Sequence, residues 1–258
     1  MSEAWLPAWR VFAKALALAV LVLVIAPLQA LVRLFSQGPA SMHLPRLFHR
    51  GMCAILGLQV ELSGKPTPAT QAVFISNHLS YLDVAAIGSV LSACFVAKDD
   101  VRGWPVMGFL AGLQHTVFIS RKSRDAHAAA AALSSALDSG HRLVLFPEGT
   151  TSDGSAVLPF KSSIFAVLAD QALDHVVLQP ISLALLDVDC RGIDAGGNRD
   201  LYAYHGDMHM GPHLLAFMRL SGAHLRIRFH APLPRLPQES RKQLAARVHA
   251  AVSLGITA

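Results

Sequence analysis

Hydrophobic and polar positions along the chain fall into two regimes. Residues 11–32 are apolar almost without interruption, broken by Lys14 and Gln29 and carrying Pro27. As a helix this run is about 33 Å long, enough to cross a hydrocarbon core. Residues 42–58 behave differently: Leu44, Leu47, Phe48, Met52 and Ile55 recur at helical spacing with Arg46, His49 and Arg50 among them. That pattern predicts a helix lying in a membrane interface. Between the two, Ser36-Gln37-Gly38-Pro39 reads as a turn.

From residue 57 onward the apolar runs shorten. Residues 57–63 predict an edge strand, and Val73-Phe74-Ile75-Ser76 a buried one after a Pro-containing loop. A helix over 81–91 leads to a strand over 94–97 ending at Lys98 and to a turn from Trp104-Pro105 to Gly108. Then come a strand over 116–120 ending at Arg121, an alanine-rich helix over 124–137 closed by Gly140, and the strand Leu143-Val144-Leu145-Phe146. Strands alternating with helices predict βαβ units. The expected fold is therefore α/β: a largely parallel sheet flanked by helices, preceded by an N-terminal hydrophobic, membrane-embedded helix pair. The domain division drawn from this is 1–58 for the membrane-anchoring helices and 59–258 for the α/β domain. Near the C-terminus, 187–198 predicts a loop and 225–229 alternates as an edge strand. A helix over 239–252 places Leu244, Val248 and Val252 on one face.

Composition narrows the setting. Of 258 residues 53% are hydrophobic and 15% charged, richer in apolar side chains than an ordinary soluble domain. A formal charge of +5 suits either nucleic acid or an anionic membrane surface. No basic run interleaved with aromatics is present, so the partner expected is membrane lipid and not nucleic acid. Cys53, Cys94 and Cys190 are isolated in sequence, which argues for a reducing compartment and no structural zinc. His205, His209 and His213 are spaced by four, but Gly206, Gly211 and Pro212 interrupt any continuous helix, so no metal site is expected. The serine-hydrolase elbow, the P-loop and the dinucleotide-binding glycine pattern are missing from the sequence.

Candidate chemistry centres on His78, which follows the buried strand 73–76, with Asp83 five residues later. An imidazole at a strand's carboxyl end can take a proton near neutral pH, and a carboxylate on its other nitrogen would fix the tautomer. Taken alone, the pair equally describes a capping histidine and a helix-start aspartate. Its company is more specific. The strand ending at Phe146 runs into Pro147-Glu148-Gly149-Thr150, and in a parallel sheet His78, Lys98, Arg121 and Glu148 would share one rim.

These blocks, with Val177-Leu178-Gln179-Pro180-Ile181 after them, resemble over roughly residues 70 to 185 the glycerolipid acyltransferase family, typified by 1-acyl-sn-glycerol-3-phosphate acyltransferases. The resemblance implies transfer of a fatty acyl group from acyl-CoA or acyl carrier protein to the free hydroxyl of a lysolipid. The first expectation is 1-acyl-sn-glycerol-3-phosphate, giving phosphatidic acid, with no cofactor. His78 would be the base and Asp83 its orienter. Lys98 and Arg121 would hold the acceptor phosphate, the backbone amides of Gly149 and Thr150 would contact the anion, and Glu148 would order the loop or bond an acceptor hydroxyl. The partners implied are the lysolipid, the thioester donor and membrane lipid, at an inner membrane with the active site facing the cytoplasm. Three positions depart from the commonest family pattern: Thr151 where arginine often follows, Ser120 where aspartate often stands, and His115 where glycine often precedes the strand. Loss of the arginine makes lyso-ornithine lipid a rival acceptor, with Lys161 able to restore the charge or simply to open a helix. Readings of another class are a lysolipid hydrolase on the same rim and a non-catalytic membrane-binding protein.

Overall fold

A computed structural model describes residues 6–120, 126–168, 173–193 and 199–256. The chain begins with α1 (Ala8–Phe35), turns through a short 3-10 segment and enters α2 (His43–Leu56). Then follow β1 (Leu58–Ser63), β2 (Ala72–Ser76), α3 (Leu82–Val90) and β3 (Cys94–Lys98). Next come α4 (Met107–Leu113), β4 (Val117–Ile119), α5 (Ala126–Asp138), β5 (Leu143–Leu145) and α6 (Ser162–Leu168). The chain finishes with β6 (Val177–Val188), β7 (Arg191–Gly192), α7 (Arg199–Tyr202), α8 (Met210–Met218), β8 (Ala223–Phe229) and α9 (Arg241–Ser253).

The strands form one sheet in the order β1-β8-β6-β2-β5-β3-β4, with β7 paired to β6. Neighbours from β6 to β4 are parallel, as are β1 and β8, whereas β6 meets β8 and β7 antiparallel. The sheet is thus mixed, with a parallel block containing β2 at its heart. Helices cover both faces. Phe74 belongs to the cluster with Leu82, Ile87 and Phe217, while Val73 and Ile75 belong to the opposite one with Leu137, Phe165 and Val248. Burial on both faces is why β2 reads as a continuous apolar run.

Several expectations change. Residues 223–229 are an interior strand, not an edge: β1 pairs alongside, and the alternation of buried Leu225, Ile227 and Phe229 with Arg226 and Arg228 records one wet face. The Trp104-to-Gly108 turn is the entrance to α4. Residues 187 and 188 extend β6 before Asp189 and Cys190 turn the chain with positive φ, and 194–198 lie outside the described residues. On α2 the inner face, Pro45, His49, Cys53 and Leu56, is buried, the apolar stripe from Leu44 to Ile55 stays half-buried with Leu47 exposed, and the arginines serve a neighbouring helix. Arg46 and Arg50 donate to the Ser89 and Val90 carbonyls at the end of α3, completing acceptors that a helix C-terminus leaves open. Gly57 closes α2 at φ 77; a Cβ there would lie 2.0 Å from the Ser221 carbonyl oxygen, where β8 closes against β1.

α1 is long and apolar enough to cross a membrane. Trp9, Phe12, Leu23 and Leu34 on it are more than half exposed. Three of its polar residues turn the other way. Lys14 donates to the Leu220 carbonyl at 2.8 Å, the buried Gln29 amide to the Ser41 and Leu113 carbonyls at 3.0 Å each, and Arg33 to Gly112.

Candidate active site

The site grows from the end of β2. Asn77 is buried there, and its amide bonds both backbone groups of Leu183 on β6, donating at 2.8 Å and accepting at 2.8 Å. The strand end is thereby fixed, and His78 follows two residues beyond the last strand position. The chain turns and enters α3, whose first turn carries Asp83. Asp83 Oδ2 reaches back to accept the N–H of Leu79 at 2.6 Å, the N–H of Ser80 at 3.0 Å and His78 Nδ1 at 2.8 Å. A short acidic side chain at a helix start commonly bonds the preceding backbone in this way. Because a carboxylate only accepts, Nδ1 carries the imidazole proton and Nε2 keeps its lone pair. Asp83 is fully buried, whereas the His78 side chain keeps 19% exposure. Asp83 Oδ1 accepts a further bond, from the Tyr202 hydroxyl at 2.8 Å.

β5 supplies the second wall. His78 stacks on Phe146 with centroids 4.0 Å apart and planes 14° from parallel, and Phe146 stacks in turn on Phe95. Glu148 is 2% exposed, and its Oε1 accepts the His78 N–H at 3.2 Å. Its Oε2 is buried with no hydrogen-bond partner among the described residues. Burial pushes this carboxyl up to about 8, helped by the charge of Asp83 and opposed by bonds from the His78 and Leu158 amides. Glu148 is therefore mostly protonated at neutral pH, able to donate from a carboxyl that ties β5 to β2. The loop beyond folds over His78: Ser152 N–H donates to the His78 carbonyl at 2.9 Å.

The remaining expected residues fall unevenly. Gly149 has φ 69, and a Cβ there would lie 2.9 Å from Lys161 Nζ, so the glycine is what lets the lysine stem cross the loop. The Gly149 N–H donates to the Phe146 carbonyl at 3.1 Å. Thr150 is exposed beside it. Lys161 both precedes α6, donating its N–H to the Pro147 carbonyl, and brings its ammonium to Gly149. Lys98 ends β3 on the same rim, but two strands from β2, roughly 10 Å by strand spacing. It is paired with Asp100, and its side chain is 44% exposed. Arg121 lies outside the described residues. His115 takes the left-handed φ of 58 that explains a glycine at this position, and Ser41 Oγ bonds its Nε2 at 2.8 Å. Of the spaced histidines, His213 bonds the Ala203 carbonyl through Nε2 and Tyr81 through Nδ1, and His205 bonds Asp200. No group of three metal-ligating side chains occurs among the described residues. Sequence reasoning missed Tyr202, because its contact with Asp83 spans 119 residues and leaves no local pattern.

Known proteins place this arrangement. The family model described as Acyltransferase matches residues 59–184. The lyso-ornithine lipid O-acyltransferase of Brucella abortus is 33% identical over 92% of this chain and 90% of its own length. That of Rhodobacter capsulatus is 37% identical over 79% and 72%. The 1-acyl-sn-glycerol-3-phosphate acyltransferase of Neisseria meningitidis is 28% identical over 79% and 76%. Among solved structures, the 1-acyl-sn-glycerophosphate acyltransferase PlsC of Thermotoga maritima shares the fold at TM-score 0.67 and 18% identity, covering 95% of this chain and 94% of that one. With one relative a third identical along nearly its whole length and a family match spanning the His78 and Glu148 blocks, the chain belongs to the acyltransferase family.

Proposed function

We propose that the protein transfers a fatty acyl group from a thioester, acyl-CoA or acyl carrier protein, to the free hydroxyl of a lysolipid, with His78 as general base and Asp83 as its orienter. The observation that carries this is the 2.8 Å contact between Asp83 and His78 Nδ1, which leaves Nε2 as the basic nitrogen on the partly exposed side. Nε2 takes the hydroxyl proton as that oxygen attacks the thioester carbonyl. The tetrahedral oxyanion then collapses, and the imidazolium returns the proton to the departing thiolate. Such a base contributes roughly 10²–10⁴-fold. The Thr150 N–H is the backbone donor proposed for the oxyanion, and Glu148, which accepts the His78 N–H, is proposed to order the loop.

For the acceptor, we infer lyso-ornithine lipid first. Thr151 stands where the phosphate-holding arginine is expected, and relatives of 33% and 37% identity carry that activity in their names. A second reading, 1-acyl-sn-glycerol-3-phosphate, is favoured by Lys161, whose ammonium lies against Gly149. Arg121 and Lys98 would assist there as cations of the rim.

For the membrane, we infer that α1 lies within one leaflet on the cytoplasmic side. Lys14 and Arg33 are about 28 Å apart along the helix axis. Both, with Gln29 between them, are bonded to the domain, so a crossing helix would drag the domain with it.

The test is transfer of labelled acyl groups from acyl-CoA by the full chain in detergent, with both lysolipids side by side. Faster acylation of lyso-ornithine lipid is expected. Preference for lysophosphatidic acid would transfer the specificity to Lys161, and release of free fatty acid without acylated lipid would overturn the transferase reading.

A further inference from the structure

Asp83 Oδ2 is crowded by three donors from its own turn, yet Oδ1 is bonded by a residue from the far end of the chain. Tyr202 belongs to α7, beyond residues 59–184 where the family model matches. Its hydroxyl donates to Oδ1 at 2.8 Å, and both residues are fully buried. The short helix is laced to the site on two sides. Arg199 donates to the Gly154 carbonyl at 3.0 Å, and the Tyr204 N–H to the Leu79 carbonyl at 2.9 Å. Between these anchors the Tyr202 ring packs edge-on to Phe217. A buried carboxylate oxygen without a donor is strongly disfavoured, so this hydroxyl supplies what the turn cannot reach.

We propose that Tyr202 is a positioning residue of acyl transfer: its hydroxyl fixes the rotation of the Asp83 carboxylate and withdraws part of its charge, setting how strongly Asp83 supports a protonated His78. The inference rests on His78 as the base. A carboxylate shares its charge among all its donors, so losing the one on Oδ1 concentrates charge on the side facing the imidazole. The dyad then holds its proton to higher pH, wherever within the pair that proton resides.

The surroundings allow this to be read. Burial, then the Asp83 charge, raises the Tyr202 phenol well above its ordinary range, so it remains a donor throughout. The titratable groups facing the pair from other elements are Glu148 from the β5 loop, Cys53 from α2 and Tyr81 beside α3. Burial pushes Glu148 up to about 8 and Cys53 up to about 11, and raises Tyr81.

The experiment uses the full chain with Tyr202→Phe and with 3-fluorotyrosine installed at 202, a stronger donor of nearly the same shape. Two readouts are taken: the acid limb of kcat/KM against pH, and the midpoint of the His78 imidazole titration by NMR without turnover. Tyr202→Phe should move both upward by about half to one pH unit and lower kcat severalfold with KM for the acceptor unchanged. Fluorotyrosine should move both downward. Phe217→Leu, which loosens the packing without touching the hydroxyl, should lower Tm and leave both midpoints in place. Unmoved midpoints in both Tyr202 variants, or a shift in Phe217→Leu as large as in Tyr202→Phe, would overturn the proposal. Should Tyr202→Phe not fold, the fluorotyrosine arm decides alone. A wild-type protein that transfers no acyl group yet shows the NMR shifts would instead sink the activity reading and leave the coupling standing.

Discussion

The turn between β2 and α3 and the long helix α1 are both built from apolar sequence with a few polar residues, and they use those residues in opposite ways. Around the turn the polar groups face inward. Asn77, His78, Asp83 and Glu148 bond within the protein, and three of the four are essentially withdrawn from water. In α1 Lys14 and Gln29 face the domain, and many apolar side chains, Phe12 and Leu23 among them, are left outside. The first arrangement makes a rigid reaction geometry. The second makes a mount, a helix held to the protein by a handful of bonds and offering hydrocarbon to a lipid environment. Local chemistry and membrane attachment should accordingly be separable by mutation.

The sharpest break would fall on the turn. His78→Ala is expected to lower acyl transfer by about a thousandfold in a labelled-thioester assay, and Asp83→Asn by about a hundredfold or more through loss of the correct tautomer. Wild-type rates in either would dissolve the distinction. The helix is tested by Leu16→Ser combined with Leu23→Ser, both exposed on its outer face. Partition into phospholipid vesicles should fall by about a hundredfold or more, while the rate on detergent-dispersed substrate holds, since each side chain removes about 1.5 kcal/mol or more of apolar burial.

A smaller effect concerns Glu148. With its folded carboxyl raised to about 8, the folded state binds more protons than the unfolded one, so this group's contribution to stability is complete below about pH 4.5 and is lost as pH rises to about 8. Glu148→Gln should therefore raise Tm more at pH 8 than at pH 5, by a difference visible in thermal melts. An equal gain at both values would mean that the carboxyl is already ionised. Smallest of all, Lys98→Ala should change stability by less than about 1 kcal/mol in urea titration, because its pairing with Asp100 is an exposed one.

What was legible in the sequence divides along similar lines. His78 and Asp83 meet across five residues, and a strand end followed by a helix start is enough to bring them together. The buried strands of the parallel block were visible because both their faces are apolar. Alternation in 225–229 reports one covered face and cannot report that β1 lies alongside, which is why the sequence predicts an edge there. The partners of the α2 arginines are hidden for a comparable reason: they are carbonyls at the end of another helix, and carbonyls have no letter of their own. Lys161 against Gly149 depends on how a loop folds back, and Tyr202 on where a distant helix docks. Patterns along a chain record burial; they do not name the neighbour.

The stack of His78 on Phe146, with Asp83 holding Nδ1, has a kinetic consequence. Turning the imidazole about its own axis would break the bond to Asp83, so the ring has no inexpensive second orientation. With His78 as the proposed base, a proton collected at Nε2 would leave from Nε2, and its recipient would have to arrive where the donor stood. Acceptor hydroxyl and departing thiol would then occupy one station in succession, and the proposed cycle would reset without any movement of the base.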